Sequence, residues 1–356
     1  MGEHRRVLVT GAGGFVGGRL VEIMQARGIP VRAGVRRWSS AARIGRFDVD
    51  LARCDLLAPS QIDAALEDVD AVVHCAVGDR TATVDGTRNL LEAAARAGVR
   101  RVVHISTIDV YGGASGSVDE DAPLVKTGAE YGDMKIEAEQ ACRAAMDQGV
   151  PVTILRPTLI YGPFSESWTI EWAVRLQRKP WLLSPEDCRG VCNLLYVDDL
   201  AAAVFRALER DGAVGQAFNV NGPDRPSWQA YFEALNAAMG GGPLVGQSKA
   251  TSHLSAYAMQ PVRSFAKFLL AHFEKPIMAV YQRSALAKRV MQGAESAIKK
   301  TPTTGEFALL GRTGEYPTAK AREILDWEPR IDMQEGIRLS VLWLRHHGYL
   351  GEPGGD

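Results

Sequence analysis

Short runs of β-branched residues alternate with longer helical stretches through the first half of the chain, and this alternation limits the fold more than any other feature. Between the runs, apolar residues recur at the spacing of one helix face. The candidate strands are 7–10, 31–35, 71–75, 102–106 and 152–156, and the candidate helices are 17–27, 60–66, 87–97 and 132–146. The pattern predicts an α/β protein with a Rossmann-type, doubly wound parallel sheet, which binds ligands at the carboxyl ends of its strands.

A glycine fingerprint follows the first candidate strand and opens the first candidate helix. Gly11 permits a tight turn, Gly14 lets the backbone approach a pyrophosphate, and Gly17 lets helix and strand pack closely. The helix N-terminus adds amide donors and positive potential. The sequence therefore predicts a dinucleotide site at this turn.

The end of the second candidate strand carries Arg36 and Arg37 where NAD-binding proteins place a carboxylate for the ribose. An arginine pairs with a ribose 2′-phosphate, which a carboxylate would repel. These residues favour NADP over NAD, unless both arginines are simply solvated. Asp55 and Leu56 are expected at the adenine, and Ala76 is expected under the cofactor.

Residues 1–160 plus 191–221 are predicted to form the dinucleotide-binding Rossmann domain. After residue 160 the alternation becomes irregular, so a smaller, mostly helical substrate-binding lobe is expected from 161–190 plus 222–356. Residues 263–300 of the lobe mix apolar residues with eight lysines or arginines and two glutamates. This predicts a basic amphipathic insert, interrupted at Pro276, that serves as a lid, a subunit contact or a peripheral membrane contact.

The composition is that of an ordinary globular protein, with 46% apolar and 23% charged residues and a net charge of −1. No nucleic-acid partner is expected from such a balance. The apolar run at the N-terminus is shorter than that of a signal peptide, which predicts a cytoplasmic protein.

Five irregularly spaced cysteines predict reduced thiols, and Cys188 and Cys192 lack the second ligand pair of a metal site.

Tyr131 and Lys135 are four residues apart in a candidate helix and therefore share one face. A nearby ammonium favours the phenolate, so such a tyrosine can exchange a proton with a carbinol or carbonyl. The end of the fourth candidate strand, at Ser106 and Thr107, offers a hydroxyl for the same oxygen. These residues predict redox chemistry at a carbinol or ketone carbon.

The chain resembles the extended short-chain dehydrogenases/reductases, a family of NAD-dependent epimerases and dehydratases that act mainly on nucleotide sugars. The matching segments are 10–17, 69–76, 85–90, 106–107 with 110–112, Tyr131 with Lys135, 155–157 with 161–163, 196–200 and 320–327. By this resemblance Tyr131 is the acid/base, Lys135 lowers the pKa of Tyr131 and binds the nicotinamide ribose, and Thr107 orients the substrate oxygen. It also implies a homodimer built on helices 87–97 and 132–146.

The resemblance also bears on which residues contact the cofactor and which contact the substrate. It implies cofactor contacts at Gly11, Gly14, Phe15, Val16, Gly17, Arg36, Arg37, Asp55, Leu56, Ala76, Tyr131, Lys135 and Pro157. Substrate contacts are expected at Thr107, Arg156, Tyr161, Trp168, Arg189 and Asn193, followed by Arg312 and Tyr316.

Three departures from the family pattern bear on the substrate. The loop between Ala76 and Asp85 is short, Cys192 and Asn193 stand where a phosphate-binding arginine is common, and residues 244–310 match no family segment. The acidic pair of 4,6-dehydratases is also missing after Thr107, which disfavours dehydration. We therefore expect an epimerase or ketoreductase of a nucleotide sugar, with two alternatives: an NADP-dependent ketoreductase of a lipidic or natural-product carbonyl, and a non-catalytic dinucleotide sensor.

Overall fold

Seven strands form one parallel sheet in the computed structural model, which describes residues 6–178, 180–283 and 301–350. In chain order they are β1 (Val7–Thr10), β2 (Val31–Val35), β3 (Asp50–Arg53), β4 (Ala71–His74), β5 (Arg101–Ile105), β7 (Val152–Pro157) and β10 (Ala217–Val220). Their spatial order is β10-β7-β5-β4-β1-β2-β3, and every neighbouring pair is parallel. The predicted Rossmann-type sheet is confirmed.

Two short strand pairs lie outside the main sheet. β6 (Gly116–Ser117) pairs with β11 (Gly314–Glu315), and β8 (Leu159–Tyr161) pairs with β9 (Leu194–Tyr196).

Helices separate the strands along the chain and continue through its second half. Those in the described residues are α1 (Phe15–Ala26), α2 (Pro59–Ala65), α3 (Arg80–Arg96), α4 (Glu130–Asp147), α5 (Glu171–Leu176), α6 (Val197–Glu209), α7 (Trp228–Ala238), α8 (Lys249–Arg283), α9 (Thr304–Leu310), α10 (Ala319–Leu325) and α11 (Met333–His346). The central strands are apolar at consecutive positions because both of their faces are covered, as Val7, Leu8 and Val9 show with 0% exposure.

Two helices differ from the sequence prediction. α3 begins at Arg80 rather than near residue 87, because the Asp79 side chain accepts a hydrogen bond from the backbone N–H of Ala82 and caps the helix. α8 continues to Arg283, so the predicted interruption at Pro276 is wrong. A proline removes one helical hydrogen bond and causes a kink, and the bonds on either side can carry the helix past it. Residues 284–300 of the predicted insert lie outside the described residues.

The chain divides into two compact units. The first comprises residues 1–165, 193–225 and 314–336, and the second comprises 166–192, 226–313 and 337–356. Residues 314–336, which the sequence pattern groups with the C-terminal lobe, belong to the first unit because Ala321, Leu325 and Trp327 are buried in the same cluster as α6.

The second unit has an aromatic core of its own. Trp172 and Phe232 lie 4.5 Å apart between ring centroids, and Trp181 packs edge-on against Phe232 at 5.3 Å. Contacts between aromatic rings, such as that of Trp172 with Phe232, therefore join helices α5 and α7.

Candidate active site

The turn between β1 and α1 is shaped by two glycines. Gly11 has φ of +67°, and a Cβ there would lie 2.8 Å from the backbone of Ala76. A Cβ on Gly17 would lie 2.4 Å from the carbonyl oxygen of Gly11. Any side chain at either position would thus push α1 or the end of β4 away from the turn, which is why the chain has glycine there.

A cleft of about 330 Å³ lies beside this turn, at the carboxyl ends of β1, β2 and β4. It is lined by Gly11, Gly13, Gly14, Val35, Arg36, Ser40, Cys54, Asp55, Leu56, Cys75, Ala76, Val77 and Ala82. Of the predicted cofactor contacts, six line this cleft. They are Gly11, Gly14, Arg36, Asp55, Leu56 and Ala76.

The remaining predicted cofactor contacts lie around the cleft or on the catalytic side of the same unit. Phe15, Val16 and Gly17 form the first turn of α1, and Pro157 ends β7. Arg37 is exposed and precedes the 3-10 turn Trp38–Ala41. That turn also brings Ser40 into the cleft, a contact that the sequence analysis missed because irregular loops carry no periodic pattern.

The residues of the cleft fit a dinucleotide. Gly14 is the N-cap of α1 and has no side chain to occupy the helix end, so the first backbone N–H groups of α1 remain open to a phosphate. At the other side of the cleft, Arg36 follows β2 and Asp55 follows β3. The cleft thus combines an anion-binding helix end with polar groups suited to a ribose and a base.

Thr107 and Tyr131 meet at the carboxyl end of β5. Thr107 is buried, and its hydroxyl accepts a hydrogen bond of 3.2 Å from the backbone N–H of Asp109. Tyr131 lies in the first turn of α4 and is 44% exposed, and the neighbouring Thr107 side chain acts to lower its pKa. Burial of its hydroxyl, together with the charge of Asp109, raises the pKa of Tyr131 to about 12.

Lys135 lies one turn further along α4 and is buried. Its Nζ donates a hydrogen bond of 2.7 Å to the carbonyl oxygen of Ile105. Burial lowers the pKa of Lys135 to about 8, because an ammonium loses its hydration there. The pKa of Tyr131 is raised, whereas Lys135 is expected to lower it. Burial decides the direction because it is the largest influence on the pKa of the phenol.

Two buried histidines lie near Lys135. His74 is held between the hydroxyls of Thr10, at 2.7 Å, and Thr87, at 2.9 Å. Burial and the charge of Lys135 lower the pKa of His74 to about 3 and that of His104 well below its usual value. Both imidazoles are therefore neutral at physiological pH, which leaves the positive charge on Lys135.

Arg156, expected to contact substrate, is instead fully buried in an ion pair. Its Nε and Nη2 donate to the two carboxylate oxygens of Glu139 at 2.9 and 2.7 Å, and both side chains have 0% exposure. Its Nη1 donates to the Tyr111 hydroxyl at 2.7 Å, and Ser106 donates to Glu139 at 2.6 Å. With these donors engaged inside the protein, this placement argues against the predicted substrate contact.

The other substrate candidates are distributed over both units. Tyr161, Asn193 and Tyr316 are buried in the first unit, where Asn193 donates to the carbonyl oxygen of Gly314 at 2.9 Å. In the second unit, Trp168 is half-buried against Trp228, with ring centroids 5.8 Å apart. Arg189 is exposed in that unit and Arg312 is half-buried. Their contacts with substrate stay a prediction.

This arrangement of cleft, tyrosine and lysine defines a dinucleotide-dependent enzyme of the extended short-chain dehydrogenase/reductase type. The chain belongs to the NAD dependent epimerase/dehydratase family, whose sequence model matches residues 7–221. The fold matches the UDP-glucose 4-epimerase of Thermotoga maritima, solved with UDP-glucose, with a TM-score of 0.72 and 19% identity over 96% of this chain and 99% of that one.

Three curated relatives illustrate the range of the family. Sterol demethylase protein B of Methylococcus capsulatus is 39% identical over 44% of this chain and 52% of its own length, so the match spans about half of that relative. The 2-alkyl-3-oxoalkanoate reductase of Stenotrophomonas maltophilia is 31% identical over 71% of this chain and 80% of its own. The UDP-N-acetyl-alpha-D-glucosaminuronate decarboxylase of Bacillus cytotoxicus is 27% identical over 96% and 98%.

Proposed function

We propose that this protein is an NAD(P)-dependent ketoreductase that interconverts a ketone and a carbinol, with Tyr131 as the proton donor. The observation that carries the proposal is the placement of Tyr131 beside Thr107 at the carboxyl edge of the sheet, one helical turn from a buried lysine. A nicotinamide cofactor, when bound, supplies or accepts the hydride at the substrate carbon.

Side chains of the protein itself donate the proton and orient the substrate. A Tyr131 pKa of about 12 keeps the phenol protonated at neutral pH, ready to donate its proton to a ketone oxygen. The Thr107 hydroxyl, beside the phenol, holds the same substrate oxygen. The Lys135 ammonium, with a pKa of about 8, supplies positive charge behind Tyr131 and a donor for a ribose hydroxyl.

The substrate that we propose is an apolar ketone rather than a nucleotide sugar. Arg156 is enclosed by Glu139, and Asn193 stands where a phosphate-binding arginine is common, which leaves less positive charge for a diphosphate. Among the relatives of 31% identity or more, one is named for a sterol demethylase component and another for a reductase of alkyl oxoalkanoates. Both names fit an apolar carbonyl compound.

A nucleotide sugar is the second candidate substrate. It is supported by the decarboxylase relative, which aligns with 96% of this chain and is named for a UDP sugar. Exposed Arg189 offers a positive charge for a diphosphate in that case. With a nucleotide sugar, the same Tyr131 would remove the proton of a carbinol and return it to the ketone.

Two further properties belong to the proposal. The cofactor is NADP, because Arg36 lines the cleft at the end of β2 and pairs with a 2′-phosphate.

The protein is a homodimer formed by α3 and α4, whose exposed surface presents Arg88, Ala141 and Ala144 around a shallow hollow. Ala138 and Ala145 of α4 are buried within the protomer.

Turnover with a substrate panel tests the function. Purified protein is mixed with NADPH or NADH and with long-chain 3-ketoacids, a 3-ketosteroid and UDP-sugars in separate reactions, and nicotinamide oxidation and sugar epimerisation are followed. We expect NADPH oxidation with the apolar ketones. Epimerisation of a UDP-sugar without net cofactor consumption would replace the first candidate by the second.

A further inference from the structure

Helix α8 carries an apolar stripe on the side that faces solvent. Leu254 is 70% exposed, Tyr257 59%, Phe265 62% and Phe268 52%, and these positions recur at three-, eight- and three-residue steps that keep them on one side of a helix. Val262 flanks the stripe and is 45% exposed. Large apolar side chains at this density on one helix face mark a binding surface rather than ordinary scatter.

The opposite side of α8 is the one that packs on the protein. Ser252 and Ala256 are fully buried there, and the Arg263 guanidinium donates to the carbonyl oxygens of Thr301 and Pro302. A surface helix normally turns its apolar side to the core and its polar side to water. Where the side chains of α8 are described, the arrangement is the reverse, because small and polar residues anchor the helix and the large apolar residues of the stripe are exposed.

The charge of the segment indicates what covers the stripe. Helix α8 contains five lysines or arginines and one glutamate, whereas the whole chain has a net charge of −1. A surface that combines exposed aromatic residues with an excess of positive charge is complementary to an anionic lipid surface.

Binding to a membrane surface does not require a helix that crosses the bilayer. Among the described residues, no helix is long and apolar enough to cross a membrane. A helix that lies in the interface needs only one apolar face and a positive charge excess, and α8 supplies both.

We propose that the exposed stripe of α8, formed by Leu254, Tyr257, Phe265 and Phe268, binds the surface of anionic phospholipid membranes. The apolar side chains enter the headgroup boundary, and the positive charge excess of α8 attracts the negatively charged lipids. The inference is independent of the proposed substrate, although a membrane-bound enzyme would gain direct access to apolar ketones.

Vesicle co-sedimentation of the full chain tests the proposal. The probes are vesicles of phosphatidylcholine alone and vesicles with added phosphatidylserine, at low and at moderate salt. The variant Phe265→Ser/Phe268→Ser removes half of the stripe, and Leu342→Ser on α11 is the matched control because Leu342 is 50% exposed outside α8. Thermal unfolding of each variant verifies that it folds.

We expect the wild type and Leu342→Ser to bind the phosphatidylserine vesicles at low salt and to bind pure phosphatidylcholine at least about tenfold more weakly. Binding should weaken with salt, and the double variant should lose at least about tenfold in partitioning. Two results would overturn the proposal: no binding to anionic vesicles at low salt, or equal binding by the folded double variant. A double variant that instead dissociates a dimer would show that a second copy covers the stripe.

Discussion

The Nζ atom of Lys135 donates a hydrogen bond to the carbonyl oxygen of Ile105 at 2.7 Å, which joins α4 to the last residue of β5. Thr107 follows Ile105 by two residues, and Tyr131 precedes Lys135 by four on the same helix. One hydrogen bond therefore fixes the distance between the two segments that carry the hydroxyl groups of the site. A long side chain that is immobilised in this way keeps its ammonium in place without reorganisation.

The exchange Tyr131→Phe should keep cofactor binding and lower kcat by at least about 10², the usual loss for a general acid/base. The phenyl ring preserves the packing at the first turn of α4 and removes only the hydroxyl. Steady-state turnover and cofactor titration measure the two effects, with Tyr257→Phe on α8 as a tyrosine control outside the site. Wild-type turnover by Tyr131→Phe would remove the tyrosine from the mechanism.

The exchange Lys135→Met should change the dependence of stability on pH. The pKa of Lys135 is about 8 in the folded protein, against 10.5 for an unperturbed lysine side chain. Between these pH values the unfolded chain therefore binds more protons than the folded protein. Stability from this group therefore rises with pH, and wild type should gain about 2 kcal/mol relative to Lys135→Met between about pH 7.5 and 10. Urea unfolding of both proteins over that range measures the difference, and a constant difference would contradict a lowered lysine pKa.

The exchange Arg36→Asp should weaken NADP binding at least about tenfold, because a carboxylate repels the 2′-phosphate that the arginine would pair with. NAD binding should be retained or improved. Arg37→Asp is the matched control, since Arg37 is an exposed neighbour that is not among the residues lining the cleft. Calorimetric titration with both cofactors decides the assignment, and an NAD preference in wild type would reverse it.

The exchange Glu139→Gln should lower the free energy of unfolding by about 3–5 kcal/mol, because it leaves the buried Arg156 charge without its partner. Asp63→Asn, which breaks the exposed pair with Arg96, should cost less than about 1 kcal/mol. Denaturant unfolding measures both variants. A loss of similar size in the two would mean that the Glu139–Arg156 pair is not energetically buried.

Light scattering at micromolar concentration should report a dimer of the wild-type chain. Ala144→Arg places a long charged side chain on the exposed part of α4 and should shift the protein towards monomer, while Leu342→Ser should leave the dimer intact. A monomer in the wild type would exclude the α3–α4 dimer.

The main sheet could be predicted from sequence because its central strands are buried on both faces and so appear as continuous apolar runs. β3 was not among the predicted strands, since it lies at the sheet edge and has the charged residues Asp50 and Arg53 at its ends. The beginning of α3 was obscured by Thr81, Thr83 and Val84, β-branched residues that are poor indicators of a helix. In each case the missing information was tertiary.

The site was only partly predictable for a similar reason. Gly11 and the pair of Tyr131 and Lys135 carry local spacing signals, whereas the partner of Arg156 lies 17 residues away on another element. A sequence gives no sign that packing will bring Glu139 against this guanidinium. The side of α8 that faces solvent was likewise undetermined until the contacts of Ser252 and Ala256 were known.

The chain leaves the first unit after residue 165, returns at 193, leaves after 225 and returns again at 314. On the last return, the Trp327 indole and the backbone N–H groups of Arg330 and Ile331 bond to Asp199, at the beginning of α6. A gene truncated after residue 225 would therefore encode a sheet domain whose apolar surface along α6 is uncovered. The truncated protein would be prone to aggregate. Recombination between relatives is safest when residues 166–192, 226–313 and 337–356 are exchanged together, because they form the second unit, while residues 193–225 and 314–336 are kept from the recipient.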